Sequence, residues 1–178
     1  MRQLIAIFAL ICIFSAPAFS QVDEGIEDVY LTPDGFLAQA FDGEIPELKK
    51  FWVTKAYKGD IKEILDRDLG VLRVSYWRRD ERTAWILEEV GKVQPITTGL
   101  VIDGGALAQI SVLVYRESRG WEVRHDFFTD QFIGARLLDD HDLDRSIDGI
   151  SGATLSVRAL TKLARLALYL HEAATQGP

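Results

Sequence analysis

Residues 100–105 have the sequence Leu100-Val101-Ile102-Asp103-Gly104-Gly105, in which a run of strand-forming residues leads into a tight-turn signal. After the turn, apolar residues recur at every second position, at Ile110, Val112 and Val114, with polar residues between them. A period of two places these three side chains on one face of a strand. The stretch therefore predicts an antiparallel β-hairpin.

The same period of two extends upstream of the hairpin. Leu72, Val74 and Tyr76 alternate with polar residues, and a second apolar run at 85–90 follows a charged turn at 78–81. Together with the hairpin, these segments predict an antiparallel meander of about four strands.

Helical patterns lie on both sides of this meander. Thr32 followed by Pro33 is typical of a helix start, and a second helix is expected at about 60–65. The end of the chain predicts a helix of about 20 residues whose apolar arc packs on the sheet. Its members are Leu160, Leu163, Ala164, Ala167, Leu168 and Leu170. The expected fold class is therefore α+β, with a long C-terminal helix.

Small residues and hydroxyls crowd the segment just before that helix, Asp148-Gly149-Ile150-Ser151-Gly152-Ala153-Thr154. A helix N-terminus stabilises an anion such as a phosphate through its free amides and its dipole. Glycines at 149 and 152 would let the backbone approach such a group closely. A hydroxyl at this place is more often a simple helix cap, so these residues alone leave both interpretations open.

The complete segment resembles the flavinylation motif of FMN-binding domains, such as the FMN-carrying subunits of sodium-pumping and Rnf-type NADH-driven complexes. The family pattern is Asp-Gly, a variable residue, Ser or Thr, and then Gly-Ala-Thr, whose last residue carries FMN through a phosphoester bond. The resemblance implies that Thr154 is the site of covalent FMN attachment. It also implies that the surrounding motif residues form the cofactor site: Asp148, Gly149, Ser151, Gly152 and Ala153.

Two upstream segments are similar to other elements of the same family, so that the resemblance covers about 100–168. Residues 115–120, Tyr-Arg-Glu-Ser-Arg-Gly, resemble a Glu-Thr-Pro-Gly element, with Arg119 in place of Pro, and 130–134 resemble Gln-Phe-x-Gly. The resemblance implies that Glu117, Ser118 and Gly120 lie beside the flavin.

The residues of this segment also allow a simpler interpretation. Glu117 and Ser118 are equally consistent with a polar strand end that faces water. Tyr115 and Trp121 are candidates for stacking on the flavin ring, although aromatic residues at a strand end more often belong to the core or its rim.

The resemblance implies an electron-transfer flavoprotein rather than a stand-alone enzyme, with no catalytic residues of its own. The partners it implies are an extracytoplasmic flavin transferase that uses FAD and Mg²⁺, and membrane-bound or periplasmic electron-transfer proteins. A noncovalent flavin-binding or ligand-binding envelope protein stays open. A serine hydrolase with Ser151 as nucleophile and His125 and Asp126 as helpers is disfavoured, because Ala153 replaces the second glycine of a nucleophile elbow.

The first 20 residues have the pattern of a secretory signal peptide. Arg2 precedes an unbroken apolar run at 4–14, and small residues precede a cleavage site near Ser20-Gln21. An uncleaved anchor is the alternative, although the run is short for a membrane span. We therefore expect a periplasmic or otherwise extracytoplasmic protein in which 21–178 form a single FMN-binding domain.

Composition excludes several classes of function. The chain has a net charge of −7, so we expect neither a nucleic-acid partner nor binding to an anionic membrane. Its one cysteine, Cys12, lies in the leader, which excludes disulfide chemistry and thiolate metal sites. The acidic loop at 138–144 lacks the spacing of a calcium loop, and no metal site is expected. His171, near the end of the last helix, is expected to be favoured there as a cation.

Overall fold

The computed structural model describes residues 28–176, and the expected signal peptide at 1–20, with its cleavage site, lies outside them. A single antiparallel sheet with the strand order β1-β6-β5-β4-β3-β2 is combined with helices, so the α+β prediction is confirmed. The strands are β1 (Asp28–Val29), β2 (Leu48–Trp52), β3 (Arg73–Arg79), β4 (Arg82–Val90), β5 (Pro95–Asp103) and β6 (Ala106–Tyr115). The helices are α1 (Pro33–Ala40), α2 (Lys55–Leu65), α3 (Asp126–Thr129) and α4 (Thr154–Gln176), with 3-10 turns at Trp121–Arg124 and Asp130–Phe132.

The predicted meander of about four strands corresponds to β3 through β6. The structure adds the two edge strands, β1 and β2, which the sequence did not indicate. β1 is only two residues long, which is too short for an alternating pattern. β2 has the sequence Leu-Lys-Lys-Phe-Trp, in which adjacent lysines break the alternation. Both strands lie at the edges of the sheet, where such short and polar strands are common.

The predicted helices are present, with one different boundary. Thr32 caps α1, since its Oγ1 accepts a hydrogen bond from the Gly35 amide at 3.1 Å. α2 begins at Lys55 rather than at residue 60. The sequence did not indicate its first turns, because Gly59 and the nearby lysines give them no apolar residues at helical spacing. α4 begins at Thr154, the last residue of the motif, so the motif leads into the helix as predicted.

A β-bulge reverses the orientation of one residue of the predicted hairpin. Thr97 is paired with Val114 and Thr98 with Val112, so Leu113 is an extra residue on β6. Ile110 and Val112 therefore belong to the core cluster under α4, whereas Val114 belongs to the cluster under α1. The prediction that Val114 shares a face with the other two was wrong.

The two faces of the sheet are covered unequally. α4 packs along β4, β5 and β6 with α2 beside it, and its predicted apolar arc is entirely buried. The short α1 covers part of the other face through Phe36, Leu37 and Phe41. Among the described residues, no helix is long and apolar enough to cross a membrane.

The sheet contains a seam between β3 and β4. These strands pair from Tyr76–Trp85 to Arg79–Arg82, and the remaining residues of β3 pair with β2 alone. A pocket of about 540 Å³ lies where the two strands separate, lined mainly by 73–75 and 86–90. The seam therefore divides the sheet into a leaf of β2 and β3 and a larger leaf of β4, β5, β6 and β1.

Candidate functional site

The predicted motif forms a tight turn that leads into α4. The Ala153 amide donates to the Ile150 carbonyl at 3.0 Å, and the Val157 amide donates to the Ala153 carbonyl at 2.9 Å. Ala153 is buried, whereas Ser151 and Thr154 are exposed. The backbone of the motif is thus fixed from within, while the hydroxyl-bearing residue that begins α4 is accessible to solvent.

Of the two motif glycines, Gly149 and Gly152, only Gly152 has a backbone conformation that favours glycine. Gly152 has a φ of +85°, in the left-handed region that side chains with a Cβ rarely adopt. A Cβ at Gly149 or at Gly152 would have no neighbouring atom within 4 Å. The surface on both sides of Ser151 is therefore open enough for a bulky group to approach.

The start of α4 fits a phosphate group. The amides of the first turn of a helix have no carbonyl partner within the helix, and the dipole places positive potential at the same point. Thr154 is the first residue of α4, so its hydroxyl lies beside these amides. A phosphoester on Thr154 would therefore hold its negative charge where a helix N-terminus stabilises an anion.

At Gly120, the 115–120 segment packs directly against the start of α4. Gly120 is buried with a φ of +86°, and a Cβ there would lie 2.9 Å from Ser156 Oγ, 2.9 Å from the Tyr115 hydroxyl and 3.3 Å from Ala153 Cβ. Only a residue without a side chain fits between these groups. The structure thus places the 115–120 segment directly beside the motif.

Tyr115 joins the two elements by hydrogen bonds. Its hydroxyl donates to the Arg119 carbonyl at 2.6 Å, and it therefore accepts from Ser156 Oγ at 2.9 Å, since it has one proton to give. Burial raises the pKa of Tyr115, so the hydroxyl stays protonated. The Tyr115 ring belongs to the core, whereas Trp121, the other stacking candidate, is 42% exposed.

Glu117 holds a neighbouring turn rather than projecting freely into water. One carboxylate oxygen accepts from the amides of Lys92, Val93 and Gln94 at 2.5, 2.5 and 2.9 Å. Burial alone would raise the pKa of Glu117, but the three amide hydrogen bonds outweigh it and hold the pKa below its usual value. Ser118, the next residue, is exposed. Glu117 therefore orders the loop between β4 and β5 as an ionised side chain.

Gln131 makes a contact with the motif that the sequence did not specify. Its Oε1 accepts a hydrogen bond from the Asp148 amide at 2.7 Å. Gln131 stands in the segment that resembles Gln-Phe-x-Gly, which was the available signal for a role at the site. The three segments predicted by resemblance are thus brought together by direct contacts at Gly120 and Gln131.

The comparison with protein families covers this assembly. Residues 91–169 match the model of the FMN-binding domain. Residues 91–169 thus match the family that the motif indicated. Searches of curated proteins and of solved structures returned no match.

The matched segment begins at the turn held by Glu117 and ends within α4, so it contains every residue of the predicted site. The pocket at the seam is lined in part by residues that precede the matched segment and by none of the motif. The predicted site residues therefore lie at the start of α4 and not at that pocket.

The catalytic alternative finds no support in the geometry of the FMN-binding domain. His125 stacks on Phe127 and meets Trp121 edge to face, and no hydrogen bond among the described residues joins it to Ser151. In the acidic loop, Asp142 forms an ion pair with Arg165 at 3.2 Å. Within 28–176, no group of three or more His, Cys, Asp or Glu is arranged to hold a metal ion.

His171 differs from its prediction. It is 3% exposed, its Nδ1 lies 2.8 Å from Thr83 Oγ1, and burial lowers its pKa. Trp85 Nε1 already donates to Thr83 Oγ1 at 2.9 Å, so the Thr83 proton is free for the histidine nitrogen. The expectation of a favoured cation at the helix end was wrong because desolvation outweighs the helix dipole here.

Proposed function

We propose that this chain is an extracytoplasmic electron-transfer flavoprotein that carries FMN covalently, through a phosphoester bond to Thr154. The observation that supports this most directly is the exposed hydroxyl of Thr154 at the first residue of α4, in the flavinylation motif of an FMN-binding domain. The bound flavin would supply the redox chemistry, and the protein would set its exposure and potential.

The acceptor role of Thr154 follows from its surroundings. An FAD-dependent and Mg²⁺-dependent flavin transferase would have to bring its own active site to this hydroxyl. The open surface at Gly149 and Gly152 leaves room for that second protein. The new bond would join Thr154 Oγ1 to the FMN phosphorus as the pyrophosphate bond of FAD breaks, with AMP as the leaving group and the hydroxyl proton passing to the transferase.

The chain's own residues would then hold the attached group in three ways. The first-turn amides of α4 would stabilise the phosphate charge. Two exposed apolar side chains, Trp121 and Leu155, each lie one residue from a part of the site and offer surface to a flat ring. Glu117 would keep the loop at 92–94 in place beside them.

Export and covalent attachment support each other in this proposal. A dissociable cofactor lost outside the cytoplasm could not be replaced from the cytoplasmic pool, whereas a tethered one is kept. The flavin would receive electrons from a membrane-bound protein and pass them to a membrane-bound or periplasmic acceptor. The leader pattern at 1–20 supports the location.

The test is the intact mass of the protein produced with and without an active extracytoplasmic flavin transferase. We expect a transferase-dependent gain equal to FMN less one water. The gain should be lost in Thr154→Ala and kept in Thr161→Ala, a matched threonine of α4 whose hydroxyl bonds to the Val157 carbonyl.

Thr161→Ala distinguishes loss of the attachment residue from a general effect on folding, because both variants replace a threonine of α4 by alanine. A mass gain that survives in Thr154→Ala would assign the tether to another residue. A yellow protein that shows no mass gain and loses its colour on denaturation and dialysis would assign noncovalent binding instead.

A further inference from the structure

We propose that the β2 edge of the sheet is a docking surface for an anionic lipid bilayer. Residues 48–59 have the sequence Leu-Lys-Lys-Phe-Trp-Val-Thr-Lys-Ala-Tyr-Lys-Gly, which contains four lysines and no acidic residue. This cluster occurs in a chain whose net charge is −7. The inference stands on this face alone and does not depend on the flavin.

The lysines of this segment are exposed and unneutralised. They are Lys49, Lys50, Lys55 and Lys58, and none of the ion pairs found within 28–176 involves them. Lys62 and Lys162, in contrast, pair with Asp68 and Asp66. The positive charge of 48–59 is therefore available to an external partner.

Exposed apolar side chains lie among these charges. Trp52 is 59% exposed and Leu48 46%, although both belong to a strand. The loop before β3 adds Leu72, which is 69% exposed and whose carbonyl accepts from the Val53 amide at 3.0 Å. Leu48, Lys50 and Trp52 project from one face of β2 and Lys49 from the other, so the surface wraps around the edge of the sheet. We call Leu48, Trp52, Leu72 and the four lysines the lysine patch.

The composition of the lysine patch matches the chemistry of a membrane interface. Tryptophan is favoured at the level of the lipid headgroups, and lysine can bury its stem while its ammonium group stays among the phosphates. A basic residue near an anionic leaflet contributes to binding individually. The acidic remainder of the chain opposes this little, because at physiological salt charges more than about 8 Å apart are largely screened.

The whole-chain composition does not reveal this face. The 27 acidic residues outnumber the 20 basic ones, which led to the expectation of no affinity for anionic membranes. That expectation averages over the chain, whereas a bilayer contacts one surface at a time. The fold gathers four lysines on one edge strand and the helix that follows it.

The lysine patch lies at the same end of the sheet as the proposed attachment site. Trp52 pairs with Arg73, Thr97 pairs with Val114, and the antiparallel order brings both pairs to the same end of the sheet, although β3 and β4 are not paired at that level. The next residue, Tyr115, contacts the start of α4 through Ser156.

The experiment measures co-sedimentation of the purified protein with vesicles of phosphatidylcholine alone and of phosphatidylcholine mixed with phosphatidylglycerol. We expect binding to the mixed vesicles only, weakened by added salt. Lys50→Glu should weaken it roughly 25-fold, since it removes one favourable charge and adds an unfavourable one at about fivefold each. Trp52→Ser should weaken binding without changing its salt dependence.

Arg136→Glu is the matched control, because it makes the same change of charge at an exposed position beside the Gly104 turn, at the opposite end of the sheet. It should leave vesicle binding within about twofold of the original protein. Equal weakening by both charge reversals, or no preference for anionic vesicles, would overturn the proposal. Dimers that Lys50→Glu abolishes, without vesicle binding, would assign the face to a second copy of the chain and overturn it too.

Discussion

The two ends of α4 are built for different purposes. At its start, Thr154 and Leu155 are exposed and the preceding Gly152 has open space around it. Towards its end, His171 is buried and hydrogen-bonded to the Thr83 hydroxyl of β4. One helix thus supplies an accessible chemical group at one end and core packing along the rest. Substitutions at the start should change chemistry, and those farther along should change stability.

The strongest contrast should come from the middle of α4. Leu163 has no exposed surface, so Leu163→Ala should lower the free energy of unfolding by about 3 kcal/mol through lost burial and the cavity left behind. Thr154→Ala should change it by less than about 0.5 kcal/mol. Urea unfolding monitored by tryptophan fluorescence measures both. Similar losses in the two variants would show that the start of α4 is as firmly integrated as its middle.

A second contrast compares two glycines that share a backbone conformation. Gly120→Ala and Gly152→Ala both place a Cβ at a φ near +85°, which costs about 1 kcal/mol in each. Gly120→Ala should cost about 2 kcal/mol more, because its Cβ meets two buried hydroxyls at 2.9 Å. The difference between the two urea midpoints measures this extra cost. Equal destabilisation would mean that the contact between 115–120 and α4 adapts easily.

The smallest effect concerns pH and the buried end of α4. Because burial lowers the pKa of His171, the unfolded chain takes up a proton near pH 6.5 that the folded chain takes up only at lower pH. The free energy of unfolding should therefore fall below pH 6.5, by up to about 1.4 kcal/mol per pH unit, and be independent of this group above it.

The substitution His171→Gln should remove that slope, whereas His125→Gln, at an exposed histidine, should keep it. Unfolding midpoints between pH 5 and 8 measure both. A slope that persists in His171→Gln would place the responsible group elsewhere.

The sequence predicted those parts of the fold in which local pattern and tertiary packing agree. The α4 arc, the Thr32 cap and the hairpin follow from hydrophobic period and turn chemistry, and the structure contains all three. The edge strand β2 escaped prediction because it is held by pairing with β3 and not by its own alternation. The position of Val114 depended on a bulge, which a periodic pattern cannot locate.

The site was predictable as a set of segments but not as a set of contacts. Resemblance identified the motif, the 115–120 segment and the segment containing Gln131. Only the fold shows that Gly120 has to be small because of Tyr115 and Ser156, and that Glu117 is bound by three amides. These contacts join residues far apart in the chain, where spacing carries no information.

The seam between β3 and β4 has a mechanical consequence. Strands joined by ladder hydrogen bonds resist shear, and β3 and β4 are joined in this way only where they pair, beside the pocket. The smaller leaf carries Trp52 and the lysines before it, and the larger leaf supports α4 with Thr154. The edge proposed to rest on a bilayer and the leaf under α4 are therefore connected within the sheet by the four residue pairs from Tyr76–Trp85 to Arg79–Arg82, and the Arg67–Glu89 ion pair at 2.6 Å bridges the pocket beside them.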